Sequence, residues 1–255
     1  MCSSDLIVVP TILHYQVAKQ FLEAGVHVLL EKPITVTLEQ ADELISLASR
    51  KKVVLQVGHI ERFNPAVTAI KPLLRSPGYL QAERSAPFTV RCTDVNVVLD
   101  LMIHDLDIVI DLAGSKPRKV SAVGSSVITR EIDAVITRII FENGCVADVT
   151  ASRISDEKKR LLRIFDGDTL YTADYQTQKA FLSRRGPGAV PEFVTTEIPS
   201  ERRDTLLEEI KAFLSCIEHN SWPAVSGIEG KNALALARLI THSIENRITD
   251  FVAFA

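Results

Sequence analysis

The first 60 or so residues alternate in a way that few folds accommodate. An apolar run at residues 7–9, ended by Pro10 and Thr11, precedes a helical stretch through Ala24 that Gly25 closes. A second run, 26–31, precedes another such stretch to about Arg50, and a third run occupies 53–57. The runs are strand-sized, and the stretches between them have helical periodicity. Val17, Phe21 and Leu22 share a face of the first helix, and Ala41, Leu44, Ile45 and Ala48 a face of the second. Thr11 has the chemistry of an N-cap, and Thr37-Leu38-Glu39-Gln40 that of a capping box. Strand, helix, strand, helix, strand describes two right-handed crossovers of a parallel sheet. Sheets of this kind carry a glycine-rich phosphate loop after their first strand. No G-x-G-x-x-G occurs in the sequence. The segment therefore reads as the later part of a doubly wound sheet whose first strands are missing, and residues 1–6 as foreign sequence joined to it. An apolar strand edge left bare by missing neighbours would favour aggregation.

Beyond Pro65 the pattern changes. A short helix at 66–74 leads to a turn at Pro77-Gly78 and an irregular stretch, then a helix at 97–113 ended by Gly114. Asn143-Gly144 separates strands expected at 134–142 and 145–152, the strongest short hairpin signal. Asp166-Gly167 separates 161–165 from 168–171 in the same way, and 184–188 reads as a loop. Helices at 205–219 and 228–246 finish the chain. The expected fold is α/β plus α+β: a partial Rossmann domain over 1–62, then a domain over 63–255 built on an open, mainly antiparallel sheet.

Hydrophobic residues at 46% and charged residues at 24% provide ample core for a globular protein. A net charge of -3 argues against nucleic acid or an anionic membrane as partner. No apolar run is long enough to span a bilayer, and no basic segment precedes an apolar one at the start. Cys2, Cys92, Cys145 and Cys216 are far apart without a CxxC pair, which argues against a zinc cage or disulfide framework and suits reduced thiols in a cytoplasm.

Parallel sheets bind ligands outside the carboxyl ends of their strands. Three ends deliver polar groups there: Pro10-Thr11 with His14, Glu31-Lys32-Pro33, and Gly58-His59 with Glu61 and Arg62. Strand ends collect polar residues in any case. Lys32 stands apart because Pro33 restricts it to extended backbone, which aims its ammonium group at a substrate oxygen or ribose hydroxyl. On the helix at 97–113, Asp100, His104, Asp107 and Asp111 form one polar stripe on an otherwise apolar element, Asp105 excepted. The stripe meets solvent or lines a cleft. In a cleft, Asp100 would hold His104 one turn away and raise its proton affinity, which makes a general base. Gly227-Ile228-Glu229-Gly230-Lys231 lacks P-loop spacing and reads as a helix start, and Gly186-Pro187-Gly188 as a turn. His59, Glu61, His104 and Asp105 together would suit a hydrolytic metal centre.

These pieces resemble the Gfo/Idh/MocA family of sugar oxidoreductases. The resemblance rests on Val8-Val9-Pro10-Thr11-Ile12-Leu13-His14, on Ala24-Gly25-Val26-His27-Val28-Leu29-Leu30-Glu31-Lys32-Pro33, and on Val57-Gly58-His59-Ile60-Glu61-Arg62-Phe63-Asn64-Pro65. Asp100-Leu101-Met102-Ile103-His104 with Asp107, and Val225-Ser226-Gly227-Ile228-Glu229-Gly230, extend it towards the C-terminus. The resemblance implies NAD or NADP as cofactor, a sugar or UDP-sugar as substrate, and homo-oligomers formed through the open sheet. It implies that Lys32 is the catalytic lysine and that Asp100 and His104 are the proton-transfer pair. Pro10, Thr11, His14, Glu31 and Pro33 would line the cofactor with Lys32. His59, Glu61, Arg62, Asn64 and Asp107 would face substrate. The run from Gly58 to Ala66 is most similar to members that oxidise the 3-hydroxyl of a UDP-sugar, whose diphosphate Arg84, Arg91 or Arg184 would hold. The family's first strands and glycine turn, ~60 residues of two βαβ units, have no counterpart, so weak cofactor binding is expected. Two readings of other classes remain: a non-catalytic sugar-binding or oligomerisation module, and the metal-dependent hydrolase.

Overall fold

The computed structural model describes residues 3–89, 95–188, 190–248 and 251–254. The chain divides into two compact units, Met1–Phe63 with Asp204–Ala235, and Asn64–Arg203 with Leu236–Ala255.

The first unit opens with β1 (Ser4–Ile7), α1 (Thr11–Glu23), β2 (His27–Glu31), α2 (Leu38–Lys51) and β3 (Leu55–Gly58). The strands form a parallel sheet in the order β1-β2-β3, with Ile7 opposite Leu30 and Glu31 opposite Gly58. The first strand lies earlier than its apolar run suggests. Pairing with His27–Leu30 recruits Ser4, Asp5 and Leu6, and leaves Val8 exposed beyond the ladder. Backbone register, not side-chain hydropathy, decides those ends. Thr11 is the first residue of α1 rather than its cap; Pro10 holds the cap position with no side-chain bond. The capping box at α2 forms as expected, with Gln40 N–H donating to Thr37 Oγ1 and Thr37 N–H to Gln40 Oε1, both at 3.3 Å. α2 buries Ala41, Leu44, Leu47 and Ala48, whereas α1 buries His14, Ala18 and Leu22. Val17, Phe21 and Ile45 fall at the margins of these faces and are half-buried.

The second unit begins with α3 (Pro65–Ile70), β4 (Tyr79–Ser85), a π-helical turn at Val98–Met102 and α4 (Ile103–Ala113). Then come β5 (Pro117–Ser125), β6 (Ala134–Phe141), β7 (Val146–Ser152), β8 (Lys159–Asp166), β9 (Thr169–Asp174), β10 (Lys179–Arg185) and β11 (Phe193–Ile198). With β12 (Val252–Ala253) they form a nine-stranded sheet in the order β11-β10-β9-β8-β4-β7-β6-β5-β12. Only β4 and β7 pair in parallel; every other neighbouring pair is antiparallel.

Both expected hairpins form, with Gly144 at φ 86 and Gly167 at φ 60, values that glycine adopts without steric cost. The stretch expected to be irregular holds β4, a central strand. Its alternation is real, with Leu80, Ala82 and Arg84 inward, but a buried arginine disguises it. Arg184 and Arg185, expected in a loop, pair with Val194 and Phe193. One face of the sheet buries Val120, Val135, Ile139, Ala147, Val149 and Leu162, with α3 and α4 packed on that unit's strands. The other leaves Val123, Ile136 and Phe165 exposed around an Arg138–Asp148 ion pair of 2.6 Å.

α5 (Thr205–His219) and α6 (Gly227–Glu245) close the chain, and α5 with the first part of α6 belongs to the first unit. Asp204 caps α5 through the N–H groups of Leu206 and Leu207. Ser226 Oγ accepts from Ile228 N–H, while the Glu229 carboxylate accepts the Ser226 N–H and hydroxyl. The glycines of this helix start permit close packing. A methyl group at Gly230 would lie 2.7 Å from Val57 Cγ2, and one at Gly227 2.7 Å from Ile45 Cγ1. Gly230→Ala therefore forces α6 off β3, and urea unfolding should show a loss of about 1–3 kcal/mol. Unchanged stability would mean that the helix yields freely there.

Candidate active site

At the carboxyl edge of the first unit's sheet, three consecutive strand ends gather the expected groups. Pro10 and Thr11 begin α1, Glu31 and Lys32 end β2, and His59, Glu61 and Arg62 follow β3 into a 3-10 turn at Ile60–Phe63. Thr11, Glu31, Lys32 and Arg62 are half-buried, Pro10 is exposed, and Pro33, His59 and Glu61 are buried. The Lys32–Pro33 peptide bond is cis.

Glu31 folds across the backbone of Gly58. A methyl group there would meet Glu31 Cδ and Oε2 at 3.1 Å and its Cα at 3.2 Å. The same Oε2 accepts the Lys32 N–H at 3.2 Å. A glycine in β3 thus lets a carboxylate lie flat over the sheet and hold the backbone that carries the lysine.

Gln56 and Gly58 lie two residues apart, so they point to one face of β3. On that face the Gln56 amide donates to the Glu209 carbonyl at 3.3 Å. Glu209 is 1% exposed and its Oε1 has no hydrogen-bond partner. Burial, and then the charge of Glu31, push its carboxyl up to about 8. Glu209 does not stand out in the sequence because Glu208-Glu209 looks like a solvated pair. The available signal was its phase: Glu209, Phe213 and Cys216 are spaced four and three apart and form the buried face of α5.

In the second unit the expected helix begins with one π-helical turn that includes Asp100, a deviation common at functional sites. Asn96 Oδ1 accepts the Leu99 N–H at 3.0 Å, and Val97 N–H donates to Ile132 at 2.9 Å. Asp100 and His104 are half-buried, Asp107 is buried, and Asp111 pairs with Lys71 at 2.6 Å. The stripe is therefore partly withdrawn from solvent.

Asp105 answers to a different need. Arg84 grips it bidentately at 2.6 and 3.0 Å, both side chains buried, with the guanidinium 5.4 Å from the Tyr175 ring centroid. This corrects two expectations. Arg84 is spent on a carboxylate and holds no diphosphate, and Asp105 is no metal ligand. Among the described residues no set of three or more His, Cys, Asp or Glu side chains gathers as a metal site. Arg184 is exposed on β10, and Arg91 lies outside the described residues. Asn64 caps α3 by accepting the Ala66 N–H, and its amide donates to Tyr175 O at 3.1 Å.

A second buried pair was also missed. Arg153 Nε donates to Asp133 at 2.8 Å and Arg153 Nη1 to Val95 O at 2.6 Å, just ahead of the π turn. Burial works to raise the Asp133 carboxyl. Bonds from Thr129 and from the N–H groups of Ile128 and Val127 outweigh it and hold the group well below the usual carboxylate range. Cys145 and Cys216 are buried free thiols, and burial pushes Cys145 up to about 11. Cys2 and Cys92 lie outside the described residues.

Comparison with known proteins agrees with this architecture. Residues 4–59 match the profile of an oxidoreductase family with an NAD-binding Rossmann fold, and residues 78–169 match the GFO/IDH/MocA C-terminal domain. UDP-N-acetylglucosamine 3-dehydrogenase of Acidithiobacillus ferrooxidans is 39% identical over 243 residues, 94% of this chain and 78% of that protein. A solved structure of the enzyme of that name from the same organism superposes with a TM-score of 0.92 at 37% identity, covering 96% of this chain and 79% of that one. Levoglucosan dehydrogenase, solved with NADH and L-sorbose, shares the fold at a TM-score of 0.86 and 19% identity, over 99% and 80% of the two chains. The chain belongs to the GFO/IDH/MocA family of NAD-binding oxidoreductases, as its sequence resemblance implied. Among the described residues no helix is long and apolar enough to cross a membrane.

Two measurements test these assignments. Because the folded Glu209 carboxyl titrates above the ordinary value of 4.5, the native state holds a proton that the unfolded chain releases between pH 4.5 and about 8. Stability contributed by that proton is lost as pH rises through this window. Glu209→Gln should gain on the wild type from pH 5 to about 8 and level off above that, reaching on the order of 2–4 kcal/mol. A pH-independent difference would place the titration elsewhere. Arg84→Met, which strands Asp105, should cost about 3–5 kcal/mol, and adding Asp105→Leu should recover most of it.

Proposed function

We propose that this protein is an NAD-dependent sugar dehydrogenase whose substrate is a nucleotide sugar, UDP-N-acetylglucosamine, oxidised at its 3-hydroxyl. The observation that carries the reading is the end of β2. There Lys32, its backbone held by Glu31 over Gly58, stands at the edge where parallel sheets bind ligands. The 39% identity to an enzyme of that activity, sustained over 94% of the chain, supports the choice of substrate.

In this reading the ammonium group of Lys32 holds the sugar oxygen as negative charge develops on it. His104, steadied by Asp100, takes the hydroxyl proton. Nicotinamide, when bound, accepts the hydride, and the protein's part is to position it. Pro10, Thr11, Glu31 and Pro33 fit that end of the cofactor: a small hydroxyl, a carboxylate for a ribose, and two rigid backbone segments. His59, Glu61, Arg62, Asn64 and Asp107 fall to substrate, with Glu61 expected to vary with the sugar. Residues 1–62 would serve the cofactor and 63–255 the substrate. The exposed sheet face with Val123, Ile136 and Phe165 would pair copies of the chain. A reducing, cytoplasmic setting suits the two buried thiols.

The open sheet, whose exposed face carries Val123, Ile136 and Phe165, supports a second reading, a sugar-binding or oligomerisation module without turnover. Fluorescence titration separates the two, since only a dehydrogenase gives saturable quenching. Lys32→Ala and His104→Ala should each lower kcat by at least about 10²-fold while Kd for NADH stays within about threefold. Near-normal turnover in either variant refutes the roles.

A further inference from the structure

Both ring nitrogens of His14 face backbone carbonyls. Nδ1 lies 2.7 Å from Pro33 O and Nε2 2.9 Å from Val9 O, and the side chain is 1% exposed. A carbonyl oxygen only accepts. A neutral imidazole has one N–H, so its second nitrogen would press a lone pair against an oxygen lone pair at bonding distance. Both contacts are attractive only when both nitrogens carry protons.

The two carbonyls also matter by position. The β1–β2 ladder ends at Ile7 opposite Leu30, so it reaches neither Val9 nor Pro33. Val9 immediately precedes Pro10-Thr11, and Pro33 immediately follows Lys32. Past the end of the sheet, His14 cross-links these two segments.

We propose that His14 is a positioning residue: a doubly protonated imidazole that clamps the segment after β1 to the segment after β2, and so sets Thr11 against Lys32. This differs from a role in touching cofactor, because both nitrogens are already engaged within the protein. It rests on the dehydrogenase reading only for the use made of Thr11 and Lys32; the clamp itself stands on geometry. Titratable groups on the elements packed around it are Asp5 on β1, His27 and Glu31 on β2 with Lys32 just after it, and Tyr15, Lys19 and Glu23 on its own helix. On α2, which packs against α1, they are Glu39, Asp42, Glu43, Arg50 and Lys51; Glu43 is bound to Lys19 at 2.6 Å.

Nitrogen-15 NMR of the histidine-labelled chain tests this without any cofactor. The expected result is N–H signals from both His14 nitrogens at pH 6. The backbone amides of Thr11 and Lys32 should then shift with the same midpoint as the ring. In His14→Gln that shared titration should vanish, and amide exchange at Lys32 should quicken about five- to tenfold, the equivalent of one lost hydrogen bond. A ring with one bare nitrogen at pH 6 overturns the proposal. So does a ring that titrates while Thr11 and Lys32 stay still, which would leave His14 an ordinary core residue. Because the readouts are wild-type signals, a His14→Gln chain that fails to fold does not remove the test. Failure of NADH to bind would count against the dehydrogenase reading and leave these readouts intact.

Discussion

The strand ends of the first unit depend on a missing side chain. Gly58 stands directly opposite Glu31 in the parallel ladder, and only hydrogen occupies the space where a Cβ would go. That space admits the glutamate's own carboxylate, which turns back to accept the N–H of Lys32. Any larger residue would meet the Glu31 backbone as well as its side chain, and backbone in a central strand has nowhere to move. That one gap sets how the Glu31 carboxylate meets the backbone of Lys32.

The second unit solves a different problem. Its helix α4, with the π turn before it, is apolar enough to bury and still carries Asp100, His104 and Asp107. It is held by charge: Arg84 on a central strand grips Asp105, and Arg153 ties Asp133 to the carbonyl of Val95 just before the π turn. Buried ion pairs of this kind add little net stability compared with apolar residues of the same volume. What they do add is directional, because a bidentate guanidinium fixes the rotation of the carboxylate it holds. Asp105 immediately follows His104, so fixing one limits the other.

Elements with a clear period were legible from residues alone. The capping box at Thr37, the hairpin turns at Asn143-Gly144 and Asp166-Gly167, and the helix from Thr205 to His219 appear where local chemistry places them. Besides β5, the strands that went unread are those whose signal is carried by partners. β4 hides a buried arginine at a core position, and β10 and β11 hold polar residues because they lie at the margin of the sheet. For the site, Lys32, His14 and Glu31 were conspicuous at strand ends. Glu209 was not, because it is distant in sequence from every group it meets.

Residue chemistry by itself determined which polar groups follow each parallel strand, the capping box that starts α2, the two hairpin turns, and which family's pattern the chain follows. These are local or periodic properties, written within a few residues of one another. Only the tertiary structure decided which polar groups are spent inside the protein. It turned Arg84 from a candidate phosphate ligand into the partner of Asp105, set both nitrogens of His14 on carbonyls, and buried Glu209 beside Glu31. A side chain's hydrogen-bonding capacity is finite, and what exhausts it is a neighbour in space that the order of residues does not name.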